Sequence, residues 1–185
     1  MKTESFRREK NMRYYANRSY VLGTFDIKIK DEEGNDRYVF SNQGKVGYNY
    51  ALCDTSGKKY ADIKQVISFR NKFRIQTDTK EIEMSFKYPF KINPDPYCKF
   101  KGLNWITEGD IHHHEYCVHD GSNVVARVGL TGTQDVDANA VTKALNNMHR
   151  DLEIECSDEY DAPLILAVVI AIELAECSDG TRSSS

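Results

Sequence analysis

The most constraining feature of the sequence is an apolar segment near its C-terminus, YDAPLILAVVIAIELAE at residues 160–176. Asp161 can cap a helix and Pro163 fits a first turn, so the segment predicts a helix. Its large aliphatic residues point in every direction around that helix, which must therefore be buried on all sides. The uninterrupted apolar run, residues 162–172, would extend ~16 Å, about half the thickness of a bilayer core. We expect a buried central helix that emerges at Glu173.

Upstream of this helix, short stretches alternate between apolar and polar residues and are separated by turn sequences. FDIKIK is followed by the turn DEEGN, and similar turns stand in DTSGKK and DGSN. This alternation, with glycine in the turns, predicts antiparallel hairpins. The 11 Tyr and 8 Phe residues, with only 4 Pro, also suit strands. The eleven predicted strands are residues 25–30, 37–41, 45–53, 59–66, 72–77, 81–87, 97–101, 104–108, 115–119, 123–128 and 151–156.

A solitary helix that is apolar on all faces needs an enclosure, and a closed barrel provides one without leaving free sheet edges. The predicted fold class is therefore mainly β, a closed antiparallel barrel of about twelve strands around a central buried C-terminal α-helix. We assign residues 1–19 to an N-terminal arm, 20–177 to the barrel domain and 178–185 to a disordered tail. The segment DANAVTKALNNM predicts a short inserted helix near residues 137–148.

Several segments carry a resemblance to a known family. IKQVISFRNKFRI, HHEYCVHDGSNVVARV and the terminal YDAPLILAVVIAIEL resemble the tubby C-terminal-like superfamily, specifically its LURP-one-related family. The similarity covers roughly residues 20–176. It implies a barrel of about twelve strands around a C-terminal helix, as predicted above from the residues alone. The insert at residues 131–149 departs from the family pattern.

The charge is unevenly distributed along the chain. Within the net charge of −3 there is a strongly basic block at residues 58–101, with 11 basic and 5 acidic residues. Residues 102–185 form an acidic block, with 4 basic and 15 acidic residues. If the strands of the basic block are neighbours, their outward side chains form a positive patch for anionic headgroups. The alternative is an ordinary solvated strand face. The candidate ligand-binding residues are Lys64, Arg70, Lys72, Arg74, Lys87, Lys99 and Lys101.

No nucleophile elbow, P-loop or dinucleotide-binding motif occurs in the sequence, so we predict neither catalysis nor a cofactor. Strand alternation would place His113, Glu115, Cys117 and His119 on one face. These side chains can ligate zinc. However, Tyr116 stands between them as an inward-facing residue, so the face is expected to be exposed, and a metal site there is the alternative.

The predicted function is a non-enzymatic binding or scaffold module for anionic phospholipid headgroups or for a protein partner. The alternatives are scramblase-like lipid handling, known from a branch thought to share this fold, and metal binding through His113, Cys117 and His119. The basic and aromatic residues of the arm favour a frayed terminus over nucleic-acid binding.

The first 20 residues lack an apolar run that could act as a signal peptide, which predicts a cytoplasmic protein, peripheral to the membrane if it binds lipid. The five cysteines contain no C-x-x-C spacing, which favours reduced thiols.

Overall fold

The computed structural model describes residues 11–17, 26–44, 47–67, 71–88, 96–132 and 151–180. Within these ranges the chain forms twelve strands and one helix. The strands are β1 (Met12–Ala16), β2 (Ile27–Asp31), β3 (Asp36–Asn42), β4 (Asn49–Asp54), β5 (Lys59–Gln65), β6 (Lys72–Thr77), β7 (Glu81–Lys87), β8 (Tyr97–Lys101), β9 (Trp105–Asp110), β10 (Glu115–Asp120), β11 (Asn123–Leu130) and β12 (Leu152–Cys156). The helix, α1, is Ala162–Gly180.

The strands form a closed antiparallel barrel in which each strand pairs with its neighbours in sequence. The barrel closes where β1 pairs with β12, from Met12 opposite Cys156 to Ala16 opposite Leu152. The predicted fold class is thus confirmed. All eleven predicted strands are present, and three of them have the predicted bounds.

Strand β1 departs from the prediction, because residues 12–16 lie in the segment assigned to an N-terminal arm. Tyr14 and Ala16 point into the barrel and are buried, while Arg13 on the outer face lies near Glu153 of β12. The alternation is that of a strand with one buried face. Residues 12–16 are therefore part of the barrel wall, and the arm assignment was wrong for them.

The two ends of the barrel differ in their connections. At one end, which we call the hairpin end, β2 and β3, β4 and β5, β6 and β7, β8 and β9, and β10 and β11 are joined by turns of two to four residues. The odd-numbered strands end at the other end of the barrel, which we call the rim. The connections there are longer, except for the four-residue turn between β9 and β10. Helix α1 runs from the hairpin end to the rim, where Gln65, at the end of β5, places its side-chain nitrogen 3.4 Å from the Ser178 hydroxyl.

Helix α1 fills the barrel. Residues 164–172 of the helix are all buried, and they pack against the inward aliphatic and aromatic side chains of the strands. Asp161 caps the helix as predicted, since its Oδ2 accepts a hydrogen bond from the Leu164 amide at 3.1 Å. This arrangement explains why a helix without a polar face is stable here.

The C-terminal part of the helix differs from the prediction in two respects. Glu173 is buried, at 6% exposure, so the helix does not emerge there. Residues 178–180, assigned to a disordered tail, continue the helix. The inserted helix predicted near residues 137–148 and the tail beyond residue 180 lie outside the described residues.

Candidate functional site

Six of the seven predicted ligand-binding residues lie on the outer face of four consecutive strands, β5 to β8. We call this face the basic wall. Its inward residues, such as Ile63, Phe73 and Ile75, are completely buried, so the alternating basic residues face solvent. The seventh candidate, Arg70, lies outside the described residues. The members of the basic wall are Lys64, Lys72, Arg74, Lys87, Lys99 and Lys101.

The strand register brings two lysines to either side of one hydroxyl. Lys72 on β6 lies opposite Ser85 on β7, and Ser85 lies opposite Lys99 on β8. Directly opposed residues on one face of an antiparallel pair have Cβ atoms about 5 Å apart. The row therefore presents two ammonium groups and a hydroxyl without an acidic residue among them, a set of donors that suits a phosphate group.

The neighbouring row is basic but contains a carboxylate. Lys64 lies opposite Arg74, Arg74 opposite Glu83, and Glu83 opposite Lys101. Glu83 also approaches Lys72, with 3.4 Å between Oε1 and Nζ. The two side chains are 37% and 29% exposed. A partly exposed ion pair of this kind contributes only about 0–1 kcal/mol, so an external anion can compete with Glu83 for the lysine.

The charges of the barrel are segregated around its circumference. Strands β5 to β8 contain seven basic and three acidic residues, whereas β9 to β12 contain one basic residue, Arg127, and six acidic ones. The polarity seen along the sequence is thus also a polarity in space, with a basic side at β5 to β8 and an acidic side at β9 to β12.

A buried polar cluster that the sequence analysis missed lies inside the barrel near the rim. His114 Nδ1 is 2.7 Å from Glu173 Oε2, and the Tyr116 hydroxyl donates to Glu173 Oε1 at 2.9 Å. In the described part of the chain, His114 and Glu173 are the only buried residues that are acidic, basic or histidine. The contacts hold helix α1 to the β9–β10 turn, and they satisfy a carboxylate that would otherwise be costly to bury.

The backbone of the β9–β10 connection is shaped for this contact. His114 has a φ of 59°, a left-handed conformation that is uncommon for residues other than glycine. Gly109 has a φ of 114°, and a Cβ there would lie 2.6 Å from the Glu115 carbonyl oxygen. Glycine therefore allows β9 to approach β10 closely beside the turn that carries His114.

The model of one protein family, described as LURP-one-related, matches residues 13–173. The chain belongs to the LURP-one-related family. The match confirms the resemblance inferred from the sequence, and it includes most of β1. No curated protein matches the chain.

The LURP-one-related fold is also found in a solved structure. The crystal structure of a protein from Arabidopsis thaliana superimposes with a TM-score of 0.53 and 12% sequence identity, over 93% of this chain and 92% of that one. At this level of identity the similarity concerns the fold alone.

The metal-binding alternative gains no support from this LURP-one-related barrel. Glu115, Cys117 and His119 lie on the outer face, as predicted, but His113 belongs to the β9–β10 turn, where its Nδ1 is 2.6 Å from Asp110 Oδ2. His119 Nε2 instead lies 3.6 Å from Glu108. Across the described ranges, no three His, Cys, Asp or Glu side chains are grouped so that they could hold a metal ion.

The scramblase-like alternative likewise gains no support, since the apolar helix is enclosed by strands. Among the residues that the structure describes, no helix is sufficiently long and apolar to cross a membrane. None of the five cysteines forms a disulfide. Two of them are buried in the core, where burial raises the pKa of Cys98 above its usual range and that of Cys156 to about 12. These two thiols are packing residues.

Proposed function

We propose that this LURP-one-related domain is a non-enzymatic binding module whose basic wall binds anionic phospholipid headgroups. The observation that carries the proposal is the row of Lys72, Ser85 and Lys99, which contains no acidic residue, although Glu83 of the next row pairs with Lys72. A headgroup phosphate lying across this row would accept hydrogen bonds from two ammonium groups and one hydroxyl. Because the three residues lie on paired strands of a closed barrel, the spacing of their Cα atoms is fixed before the ligand arrives.

The expected affinity is that of a peripheral membrane protein. Each lysine or arginine close to an anionic membrane surface contributes about 1 kcal/mol, and this attraction falls off within the Debye length of ~8–10 Å. The acidic residues of β9 to β12 disfavour binding through that side of the barrel. We therefore propose a cytoplasmic protein that binds membranes reversibly through one face.

Vesicle flotation tests the proposal. The wild-type domain is expected to float with phosphatidylserine-containing vesicles at low salt, and to remain unbound with vesicles of phosphatidylcholine alone. The double variant Lys72→Gln/Lys99→Gln should bind about 30-fold more weakly, because two lysines contribute about 2 kcal/mol.

The matched control is Lys28→Gln/Lys30→Gln, which removes the same charge from exposed positions on β2. It should bind within about threefold of wild type if location rather than net charge decides binding, since a remote charge acts mainly through the screened long-range field. Equal recovery of the wild-type domain with both kinds of vesicle would refute lipid binding. An equal loss in both double variants would show that net charge, and not the basic wall, attracts the domain. If an acidic protein were the partner instead, wild type would not float, yet the partner's binding would require Lys72 and Lys99.

A further inference from the structure

We propose that the domain does not only lie against the membrane through its charges but inserts two rim side chains, Ile67 and Tyr88, into the bilayer interface. This proposal rests on the proposed function, and it specifies which end of the barrel meets the lipid. The ligand is then an anionic bilayer, since a soluble phosphate compound would offer no apolar environment for these side chains.

The first observation is the position of the exposed apolar residues. Four large ones are exposed in the described ranges, namely Met12, Ile67, Tyr88 and Ile106. Ile67 is the most exposed of them, at 76%, and Tyr88 is 42% exposed. Ile67 follows the end of β5 and Tyr88 follows the end of β7, so both lie at the rim. Apolar side chains together at one edge of a basic surface are a feature of interfacial membrane binding.

The second observation is that hydrogen bonds and ring contacts link the start of β6 to the end of β7, beside Tyr88. Asn71, just before β6, donates its side-chain amide to the Phe86 carbonyl at 2.9 Å and accepts a hydrogen bond from the Phe86 amide at 2.8 Å. Tyr88 packs edge-on against Phe86 and stacks on His112, with ring centroids 5.7 and 6.0 Å apart. The β6 start and the β7 end therefore form one supported edge. Tyrosine suits this location because its ring is apolar and its hydroxyl is polar.

The third observation is a charge gradient along the strands. On β5, β6 and β7 the outward residue nearest the rim is basic in each case, namely Lys64, Lys72 and Lys87. The acidic residues of these strands, Asp62, Glu81 and Glu83, lie farther from the rim. An anionic bilayer approaching the β5–β7 edge thus meets lysines next to exposed apolar side chains before it meets any of these acids.

The neighbouring sector of the rim, which begins at the β9–β10 turn beside Tyr88, is acidic. Strand β9 ends at Asp110, β10 begins at Glu115, and Glu153 lies next to the rim end of β12. An anionic surface repels these carboxylates. The barrel is therefore expected to tilt, with the β5–β7 edge of the rim toward the lipid and the β9–β12 side away from it.

The experiment compares Ile67→Ser with Ile106→Ser in the full chain. Ile106 is a control for position along the barrel: it is 54% exposed and lies opposite Lys99 of the basic wall, but it is on β9 next to the hairpin end and not at the rim. With vesicles of phosphatidylserine and phosphatidylcholine, Ile67→Ser should bind about tenfold more weakly than wild type, as expected for losing a largely inserted isoleucine. Ile106→Ser should bind within about threefold of wild type, because Ile106 lies beside Lys99 but away from the rim that inserts. The Ile67→Ser effect should persist at high salt, whereas the effect of Lys72→Gln/Lys99→Gln should fade.

A second measurement reports insertion directly. The chain contains one tryptophan, Trp105, which is 5% exposed and gives a constant background. Fluorescence of an Ile67→Trp variant should shift to the blue on anionic vesicles and be quenched by lipids brominated in the acyl chain. An Ile106→Trp variant should show neither change.

The outcomes separate the two proposals. If wild type binds anionic vesicles but Ile67→Ser and Ile106→Ser bind equally well, insertion is refuted while headgroup binding by the basic wall stands. If wild type does not bind these vesicles, both proposals fail. If the Ile67→Trp fluorescence shifts without quenching by brominated lipid, the side chain contacts something other than acyl chains, and insertion is again refuted.

Discussion

Replacing His114 should destabilise the barrel far more than replacing its neighbour His113. The two histidines lie in the same turn and both contact a carboxylate, but their surroundings differ. The His114 and Glu173 side chains are 10% and 8% exposed, whereas those of His113 and Asp110 are 70% and 41% exposed. Without His114, the donor that remains on Glu173 is the Tyr116 hydroxyl at 2.9 Å. The comparison therefore isolates the effect of burial.

The expected magnitudes follow from this difference. Removing one hydrogen-bond partner of a buried polar group costs about 1–3 kcal/mol, and we expect the upper end because the acceptor is an acidic side chain enclosed in the barrel. An exposed pair contributes about 0–1 kcal/mol. His114→Asn is the preferred variant, because asparagine tolerates the left-handed backbone at this position better than alanine does. With an m-value of about 2 kcal/mol/M, a loss of about 3 kcal/mol would lower the urea midpoint by about 1.5 M.

Urea unfolding followed by Trp105 fluorescence measures the effect, with His113→Ala as the control. Adding Glu173→Leu to His114→Asn should cost less than the sum of the single variants, because it removes the carboxyl group that the histidine variant leaves with one donor fewer. Equal midpoints for the His113 and His114 variants, or strict additivity in the double variant, would refute the view that a buried pair holds the helix to the β9–β10 turn.

Three further predictions concern the core and the basic wall. Ile170→Asp should prevent folding, because it buries an unpaired charge at a position that is 1% exposed, while Ile67→Asp should give soluble protein. Recovery of a folded Ile170→Asp protein would mean that the helix is not enclosed. Cys98 and Cys156, with their raised thiol pKa values, should react with a thiol reagent only after unfolding, and equal native reactivity of all five thiols would contradict their burial. Glu83→Gln should tighten binding to anionic vesicles about fivefold by removing one repulsive charge of about 1 kcal/mol, and unchanged or weaker binding would show that Glu83 does not oppose the ligand.

Features of the fold that depend on local sequence could be predicted. β6, β7 and β8 have the predicted bounds because alternation and flanking turns define each strand without reference to distant residues. β1 was missed because no short hairpin joins it to β2, and its pairing with β12 depends on residues about 140 positions later in the chain. Pairing between distant segments leaves no local signal.

The same distinction applies to the candidate sites. Period-two alternation predicts that the basic residues face outward, but the row of Lys72, Ser85 and Lys99 depends on strand order and register. A carboxylate at the end of an apolar run usually indicates where a helix leaves the core and reaches solvent, and Glu173 was interpreted in that way. Its burial depends on donors 57 and 59 residues earlier in the chain, which no local pattern reveals.

The pairing of β1 with β12 has a consequence for how the protein is made. Because Met12 pairs with Cys156, β1 lacks one of its two partner strands until β12 has left the ribosome. Helix α1 is synthesised after β12, so the inward side chains of the strands have no helix to pack against during most of translation. Contacts of such large sequence separation fold slowly and leave strand edges exposed to other chains. The nascent protein is therefore expected to depend on chaperones until its last residues are available, and deletion of residues 12–16 should produce an aggregating chain rather than a smaller barrel.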